Sequence, residues 1–167
     1  ATDAPEEAVR STILFDVNDD GTSDYYLDPM QATYGERPNA LVMPDGSPFK
    51  TPEYYGHTFM GFFDKPLYTQ EGAIQYFDAD GAAVRDWDKT TATVLYAGWH
   101  TESGTVVFDG NGGFFDGDAS KKQLVKSVEY GQSVADVLGE GFVPTAMFRS
   151  DGRYVTSNEW FTDPIAG

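Results

Sequence analysis

The chain has 167 residues, no cysteine and a formal net charge of −16, from 27 acidic and 11 basic residues. The lack of cysteine excludes disulfides, zinc–thiolate sites, iron–sulfur clusters and thiol catalysis. The acidic charge argues against binding to nucleic acid or to an anionic membrane surface, because both interactions need clustered lysine and arginine. No apolar run reaches the length of a membrane span, so we expect no membrane insertion.

The first sixty residues read as short strands joined by turns and one long loop. Thr12–Asp16 alternates apolar and polar side chains, which predicts a half-buried strand. Asn18–Gly21 ends this strand with turn-forming residues, and Tyr25–Leu27 is a second, shorter strand candidate. Segment 36–57 holds four prolines, which rule out a regular helix, so we expect a long ordered loop there.

The clearest strand patterns lie between residues 58 and 99. Thr58–Phe63 is apolar on both faces, which predicts a central strand. A hairpin is predicted around the Asp-Gly turn at Asp78–Gly81, and Arg85–Lys89 is expected to form one helical turn. Thr93–Trp99 is the strongest strand candidate, because it is rich in β-branched and aromatic residues.

The last third of the chain combines a strand with the best short helix. Gln123–Tyr130 reads as a strand with alternating apolar residues. Ser133–Gly139 predicts a helix, with Ser133 as the N-cap, Asp136 at the third helical position and Gly139 as the stop.

An internal repeat groups these elements. Thr12–Gly21 returns as Thr105–Gly113, and each copy is followed by a Tyr-Gly step and then by an aromatic pair that leads to an acid. The later landmarks are Tyr34-Gly35 with Tyr130-Gly131, and Phe62–Asp64 with Trp160–Asp163. Their offsets of roughly 93, 96 and 98 residues drift as insertions in surface loops would make them drift.

The repeat predicts two small modules, the second of them incomplete. The predicted ranges are 1–10 for an N-terminal tail, 11–100 for the first module, 101–104 for a hinge and 105–167 for the second module. The second module lacks a counterpart of Thr93–Trp99, its closing strand. Three explanations stay open: truncation of a longer protein, a different closure caused by an insertion near Ser157, or completion by a strand from a neighbouring subunit.

These motifs together resemble the Listeria–Bacteroides repeat, also called the internalin B-repeat, of bacterial surface proteins. Val107–Gly113 is similar to the opening of that unit, Gly56–Phe63 to its aromatic middle and Val94–Trp99 to its close. Gln75–Asp88 is similar to a longer variant of the closing region, whereas Asn18–Gly21 departs from the usual Asn-Gly-Gly. The resemblance implies a mainly β or α+β fold of tandem β-grasp-like, ubiquitin-like modules on the cell exterior, and it implies no catalytic residues.

One acidic turn is a candidate calcium site. Its ligands would be Asp16, Asn18, Asp20 and Asp24. Oxygen ligands at alternating positions around a glycine-supported turn suit Ca²⁺. The alternative is an acidic hairpin turn, which the second copy favours because glycines follow Asp109 and Asn111 there. No cofactor is required, and Ca²⁺ is the one cofactor candidate.

Four tyrosines are candidate binding residues, because exposed rings stack on sugars or pack against a protein partner. They are Tyr25, Tyr26, Tyr54 and Tyr55. The alternative is that these rings pack inside a thin module. The only two histidines, His57 and His100, lie beside strand segments without a serine-nucleophile motif, so we interpret them as structural and expect no enzymatic activity.

The sequence therefore favours a non-catalytic, extracellular stalk or spacer in a bacterial surface protein that serves adhesion or surface assembly. Its expected partners are other repeats of the same protein or neighbouring subunits, and no nucleic acid. One alternative is a module that binds a host protein or glycan through exposed aromatic rings. Another is a filament subunit completed by strand donation from a neighbour.

Overall fold

The computed structural model describes residues 7–17, 27–139, 147–148 and 154–155. Within these ranges the protein is mainly β, with a single short helix. The elements are β1 (Arg10–Asp16), β2 (Met30–Thr33), β3 (His57–Phe63), β4 (Gln75–Phe77), β5 (Thr93–Thr101), β6 (Ser103–Asp109), β7 (Gln123–Glu129), α1 (Val134–Leu138), β8 (Met147–Phe148) and β9 (Tyr154–Val155).

The chain divides into two compact units between Thr101 and Glu102. Among the residues expected to form a hinge, 101–104, Thr101 ends β5 and Ser103 begins β6. Glu102 is the single residue between them.

A five-stranded mixed sheet forms the first unit, in the order β2-β1-β5-β3-β4. β1 and β5 run parallel, with Ile13 opposite Thr93 and Phe15 opposite Leu95, and the other neighbours are antiparallel. β5 is the middle strand of the five. β3 is also an interior strand, as predicted for Thr58–Phe63, because it pairs with β5 on one edge and with β4 on the other.

Large aromatic rings fill the core of the first unit. Phe62, Tyr76, Phe77 and Leu95 are each 0% exposed and Trp87 is 1% exposed. The rings meet edge to face, as between Tyr76 and Trp87, whose centroids are 5.2 Å apart. A ring buries more apolar area than an aliphatic side chain, so a few rings suffice for a single sheet with little helix above it.

A β-bulge shapes the third strand. The register between β3 and β5 shifts between Phe59 and Gly61, and Gly61 adopts a φ of +114°. The Gln75 side-chain amide donates to the Met60 carbonyl at 2.8 Å, which satisfies a backbone group that the bulge removes from the ladder.

The proline-containing segment 36–56 is irregular, as expected. It is tied to the core through Leu41, which is 6% exposed and whose backbone N–H donates to the Gly81 carbonyl at 2.8 Å. The predicted hairpin around Asp78–Gly81 is also present, because the Asp78 N–H donates to the Ala82 carbonyl at 2.9 Å.

The helical turn predicted at Arg85–Lys89 does not form. The Trp87 N–H donates to the Glu36 carbonyl at 2.9 Å, and the Trp87 carbonyl accepts from the Gly35 N–H at 2.7 Å. Both backbone groups of Trp87 are therefore used in long-range bonds and cannot close a helical turn.

The second unit contains the antiparallel hairpin of β6 and β7, followed by α1. The predicted N-cap is confirmed: the Ser133 hydroxyl accepts from the Asp136 N–H at 3.1 Å, and the Asp136 carboxylate accepts from the Ser133 N–H at 2.7 Å. Gly139 ends the helix with a φ of +93°. β8 and β9 form a separate antiparallel pair.

Candidate functional site

The repeated sequence phrase builds the same hairpin in both units. In the first unit β1 pairs with β2, and the Tyr34 N–H donates to the Val9 carbonyl at 2.8 Å. In the second unit β6 pairs with β7, and the Tyr130 N–H donates to the Glu102 carbonyl at 2.8 Å. Val9 and Glu102 each immediately precede the first strand of their hairpin, so the two ladders are closed at equivalent positions.

Each Tyr-Gly step is a tight turn at the end of its hairpin. The Glu36 N–H donates to the Thr33 carbonyl at 3.1 Å, and the Gln132 N–H donates to the Glu129 carbonyl at 3.1 Å. The glycines sit at the third turn position with φ values of +83° for Gly35 and +89° for Gly131. This type of turn requires a positive φ at its third position, which glycine adopts without steric cost.

The two hairpins differ in what lies beside their first strand. β1 pairs with β5 on the edge opposite β2, whereas β6 pairs with β7 alone within the described ranges. Exposure differs at one of the two inward positions. Ile13 of β1 is 0% exposed and Val106, at the same place in β6, is 37% exposed, whereas Phe108 of β6 is 6% exposed and its equivalent Phe15 is partly buried.

The predicted calcium site lies largely outside the described residues, which hold only Asp16 of its four candidate ligands. Asp16 is exposed at the end of β1. Asn18, Asp20 and Asp24 belong to the part of the chain that the structure does not describe. Within the described ranges, no three histidine or acidic residues come together in a way that could hold a metal ion.

The equivalent acid in the second copy closes a turn. The Asp109 carboxylate accepts from the Gln123 side-chain amide at 2.9 Å and from the Asn111 N–H at 2.8 Å. The bond from Gln123, followed by that from Asn111, lowers the pKa of Asp109 below its usual value. Asp78 also closes a turn, because its Oδ1 accepts from the N–H groups of Asp80 and Ala82, each at 2.9 Å.

Two of the four candidate tyrosines are described, and they have different surroundings. Tyr25 and Tyr26 fall outside the described residues. Tyr54 is half-buried and stacks on His57 with ring centroids 4.0 Å apart and an interplanar angle of 5°. Tyr55 is 83% exposed. The sequence therefore grouped one packed ring with one that faces solvent.

Tyr54 and His57 line an aromatic groove of about 340 Å³ together with Leu67, Tyr68 and Trp99 and with four further residues. Trp99 meets Tyr54 edge-on at 5.5 Å, and its indole N–H donates to the Val17 carbonyl at 2.6 Å. Sequence reasoning missed Leu67, Tyr68 and Trp99 because they lie about 10 to 45 residues from Tyr54 and His57 in the chain. The one local signal for two of them was the Pro66-Leu67-Tyr68 step, which follows a strand.

Each of the two histidines is hydrogen-bonded to a tyrosine residue. His57 Nδ1 lies 2.9 Å from the Tyr55 carbonyl, which can only accept, so this nitrogen carries the proton. His100 Nδ1 lies 2.9 Å from the Tyr68 hydroxyl. Each imidazole thus fixes the orientation of a neighbouring tyrosine residue.

A buried phenol near the sheet edge carries the largest electrostatic perturbation. The Tyr76 hydroxyl donates to Asp88 Oδ1 at 2.6 Å, and the Arg85 guanidinium lies 5.1 Å from the ring centroid. Burial, then the bond to Asp88, raises the pKa of Tyr76, and the same bond lowers the pKa of Asp88. Tyr76 is 0% exposed, so it has no access to a substrate and acts as a core residue.

Comparisons with protein-family models, with curated proteins and with solved structures each found no match. In the described part of the chain, no helix combines the length and apolar character needed to cross a membrane.

Proposed function

We propose that the chain is a stalk or spacer segment of a bacterial cell-surface protein, built from tandem modules of the Listeria–Bacteroides repeat type. The observation that carries this proposal is the hairpin that is formed twice with the same closing bond and the same Tyr-Gly turn. A spacer gains length by adding modules that each fold around their own contacts. Surface adhesion or assembly then depends on the domains that the stalk presents.

The sheet of the first unit supports a β-grasp-like module. Its first and last strands, β1 and β5, lie side by side and parallel, and a hairpin partner flanks each of them, β2 on one side and β3 on the other. A parallel pair needs a long crossover connection, which the intervening strands and loops provide. The proline-containing segment 36–56 occupies the place in the chain order where such modules usually carry a helix.

The perturbed side chains of the described residues also fit a structural role. The hydroxyl of the buried Tyr76 is hydrogen-bonded to Asp88. Asp109 closes a turn, and Asp136 caps a helix. Each of these pKa shifts therefore has a structural cause. This holds for the ranges that the structure describes.

Pulling the full chain by its ends in a single-molecule force experiment tests the proposal. We expect two separate unfolding events, of which one releases about 300 Å of chain, the extended length of roughly 90 residues. A single event that releases the whole chain would contradict the proposal, because tandem modules unfold independently.

Two core variants provide matched controls for this experiment. Leu95→Ala removes a side chain that is 0% exposed in the first unit, and Phe108→Ala removes one that is 6% exposed in the second. Each should cost roughly 2–5 kcal/mol and lower the unfolding force of its own event only. If either variant lowers both forces, the two units are one cooperative body.

A binding module is the second candidate, favoured by the exposure of Tyr55 and Leu67. Tyr55 is 83% exposed, and Leu67, which lines the aromatic groove, is 67% exposed. Such apolar surface beside packed rings suits a sugar ring or a protein side chain. A glycan array and a pull-down with surface proteins should then show binding that Tyr55→Ala and Leu67→Ser abolish and that the exposed control Val84→Ser retains.

A further inference from the structure

We infer that the edge of β6 with which no described strand pairs binds, in parallel, a β-strand of the same chemistry as β5 from another repeat module. The inference deepens the proposed tandem-module function and rests on it, because it uses the equivalence of the two hairpins. It names the partner that completes the second module.

The ladder of the second hairpin shows which backbone groups of β6 face away from β7. The Tyr130 N–H donates to the Glu102 carbonyl, and the Gly110 N–H donates to the Lys122 carbonyl. In an antiparallel pair, alternate residues direct their N–H and C=O groups to the partner strand. Even-numbered positions therefore bond to β7, and the groups of Thr105, Val107 and Asp109 point to the opposite edge.

The same groups in the first unit hold the central strand. The Tyr34 N–H donates to the Val9 carbonyl, so Val9 and every second residue after it bond to β2. Leu14 and Asp16 point the other way, and they lie opposite Val94 and Tyr96 of β5. Counting from Val9 and Glu102, Leu14 corresponds to Val107 and Asp16 to Asp109.

Side-chain exposure shows what the edge of β6 lacks. Ile13 is 0% exposed in the first unit, but Val106, its equivalent in the second, is 37% exposed. An isolated two-stranded hairpin is marginally stable in water, and a third strand both pairs its edge and covers its apolar face. β6 therefore gains most from a partner that supplies both kinds of contact.

The chemistry of the partner follows from β5 itself. β5 reads Thr-Val-Leu-Tyr-Ala-Gly-Trp-His-Thr, which is β-branched and aromatic and contains no acid. A strand without Asp or Glu approaches a chain of net charge −16 without like-charge repulsion. The parallel direction follows from the pairing of β1 with β5. The β5 of the same chain is already paired on both edges, so the strand comes from another module.

Amide hydrogen exchange on the full chain tests the inference with a synthetic peptide of the β5 sequence as the probe. Without peptide, the amides of Thr105, Val107 and Asp109 should exchange fast, while those of Val106 and Phe108 are protected by β7. Saturating peptide should slow the three outward amides by about tenfold or more. The peptide with proline in place of Leu95 is the matched control, because it cannot complete the ladder.

Two protein variants locate the edge. Val107→Pro removes an outward N–H of β6 without touching a bond to β7, so it should abolish the protection that the peptide confers on Thr105 and Asp109. Val125→Pro removes the corresponding outward N–H on the far edge of β7, opposite Val107 in the ladder, and should leave peptide binding unchanged.

Three results would overturn the inference. The first is that the peptide does not slow amide exchange on β6, and the second is that it slows exchange on the outer edge of β7. The third is that the amides of Thr105, Val107 and Asp109 are protected before any peptide is added, which would mean that later residues of the same chain pair with this edge. The proposed function fails separately, because loss of protection at Val106 and Phe108 in the free protein would mean that the repeated hairpin itself is not formed.

Discussion

The buried indole of Trp87 depends on one hydroxyl from a strand far away in the sequence. Its Nε1–H donates to the Ser11 Oγ at 2.7 Å, and the same hydroxyl donates to the Lys89 carbonyl at 3.0 Å. Ser11 is 6% exposed, so water cannot replace it. This bond joins β1 to the segment that follows the 78–81 hairpin.

Ser11→Ala should lower the free energy of unfolding of the first unit by roughly 1–3 kcal/mol, since it leaves a buried N–H without a partner. Urea unfolding followed by tryptophan fluorescence measures the change. Ser47→Ala, which removes a hydroxyl bonded to Asp45 in an exposed turn, is the control and should cost less than about 1 kcal/mol. Equal losses in the two variants would mean that the indole bond adds nothing.

Tyr76→Phe should make the first unit less sensitive to acid. The bond from Tyr76 lowers the pKa of Asp88 below its usual 3.8. The stability from this shift is present above the unfolded pKa and is lost as the pH falls through the lower folded pKa. Between about pH 5 and pH 2, the free energy of unfolding should therefore fall less steeply in Tyr76→Phe than in the parent chain.

Urea unfolding at several pH values gives this comparison, with Tyr34→Phe as the control. Tyr34 is 52% exposed, and its substitution should leave the acid dependence unchanged. The other lowered carboxylates, such as Asp109 and Asp136, contribute equally to every variant and cancel. Parallel pH curves for the parent and Tyr76→Phe would refute the role given to Asp88.

Among the elements, β3 depends on a single glycine. A Cβ at Gly61 would overlap the Phe77 carbonyl oxygen and would lie 2.6 Å from the Gln75 side-chain nitrogen. The first of these neighbours is backbone of β4 and cannot move without breaking the pairing of β3 with β4. The bulge is therefore required by the approach of two strands as well as by the φ of +114°.

Gly61→Ala should lower the melting temperature of the first unit far more than Gly46→Ala. Gly46 has a similar need for positive φ, +79°, but open space around it, so its substitution should cost about 1–2 kcal/mol of backbone strain. Gly61→Ala adds steric overlap worth about 1–3 kcal/mol more. Similar melting temperatures for the two variants would show that β4 moves aside.

Elements with local signals could be predicted from the sequence, and those with distant partners could not. β5 and α1 follow from β-branched content and from a capping box, both of which are local. β2 was not predicted, because Met-Gln-Ala-Thr has weak strand propensity and is held by its pairing with β1. Arg85–Lys89 was predicted as helical and is not, because Trp87 bonds to residues about fifty positions away.

The candidate sites follow the same division. The sequence singled out Tyr54 and Tyr55, which are adjacent in the chain, but not Trp99 or Leu67 of the groove that Tyr54 lines. Only the pairing of β3 with β5 brings Trp99 to Tyr54. The calcium candidates beyond Asp16 remain a prediction.

For the whole molecule, the net charge of −16 should make stability depend on salt. Raising NaCl from about 10 mM to 150 mM shortens the screening length from about 30 Å to 8 Å and weakens self-repulsion in the folded state. We expect the melting temperature to rise by about 3–6 °C, measured by circular dichroism.

Calcium chloride at the same ionic strength separates screening from binding. If Asp16 lies in a turn only, both salts raise the melting temperature equally, whereas a bound ion adds a further increase that a chelator removes. A melting temperature that does not change with NaCl would contradict the screening argument itself.

The sequence by itself determined the two Tyr-Gly turns and the capped helix α1, because both depend on short-range preferences such as the positive φ of Gly35 and Gly131 and the capping box at Ser133. The tertiary structure alone decided that β5 lies at the centre, parallel to β1, and that β6 has no described strand in the corresponding place. The physical reason is that each strand has two edges with the same bonding groups. Which edge finds a partner depends on the packing of segments distant in sequence, and no local pattern encodes it.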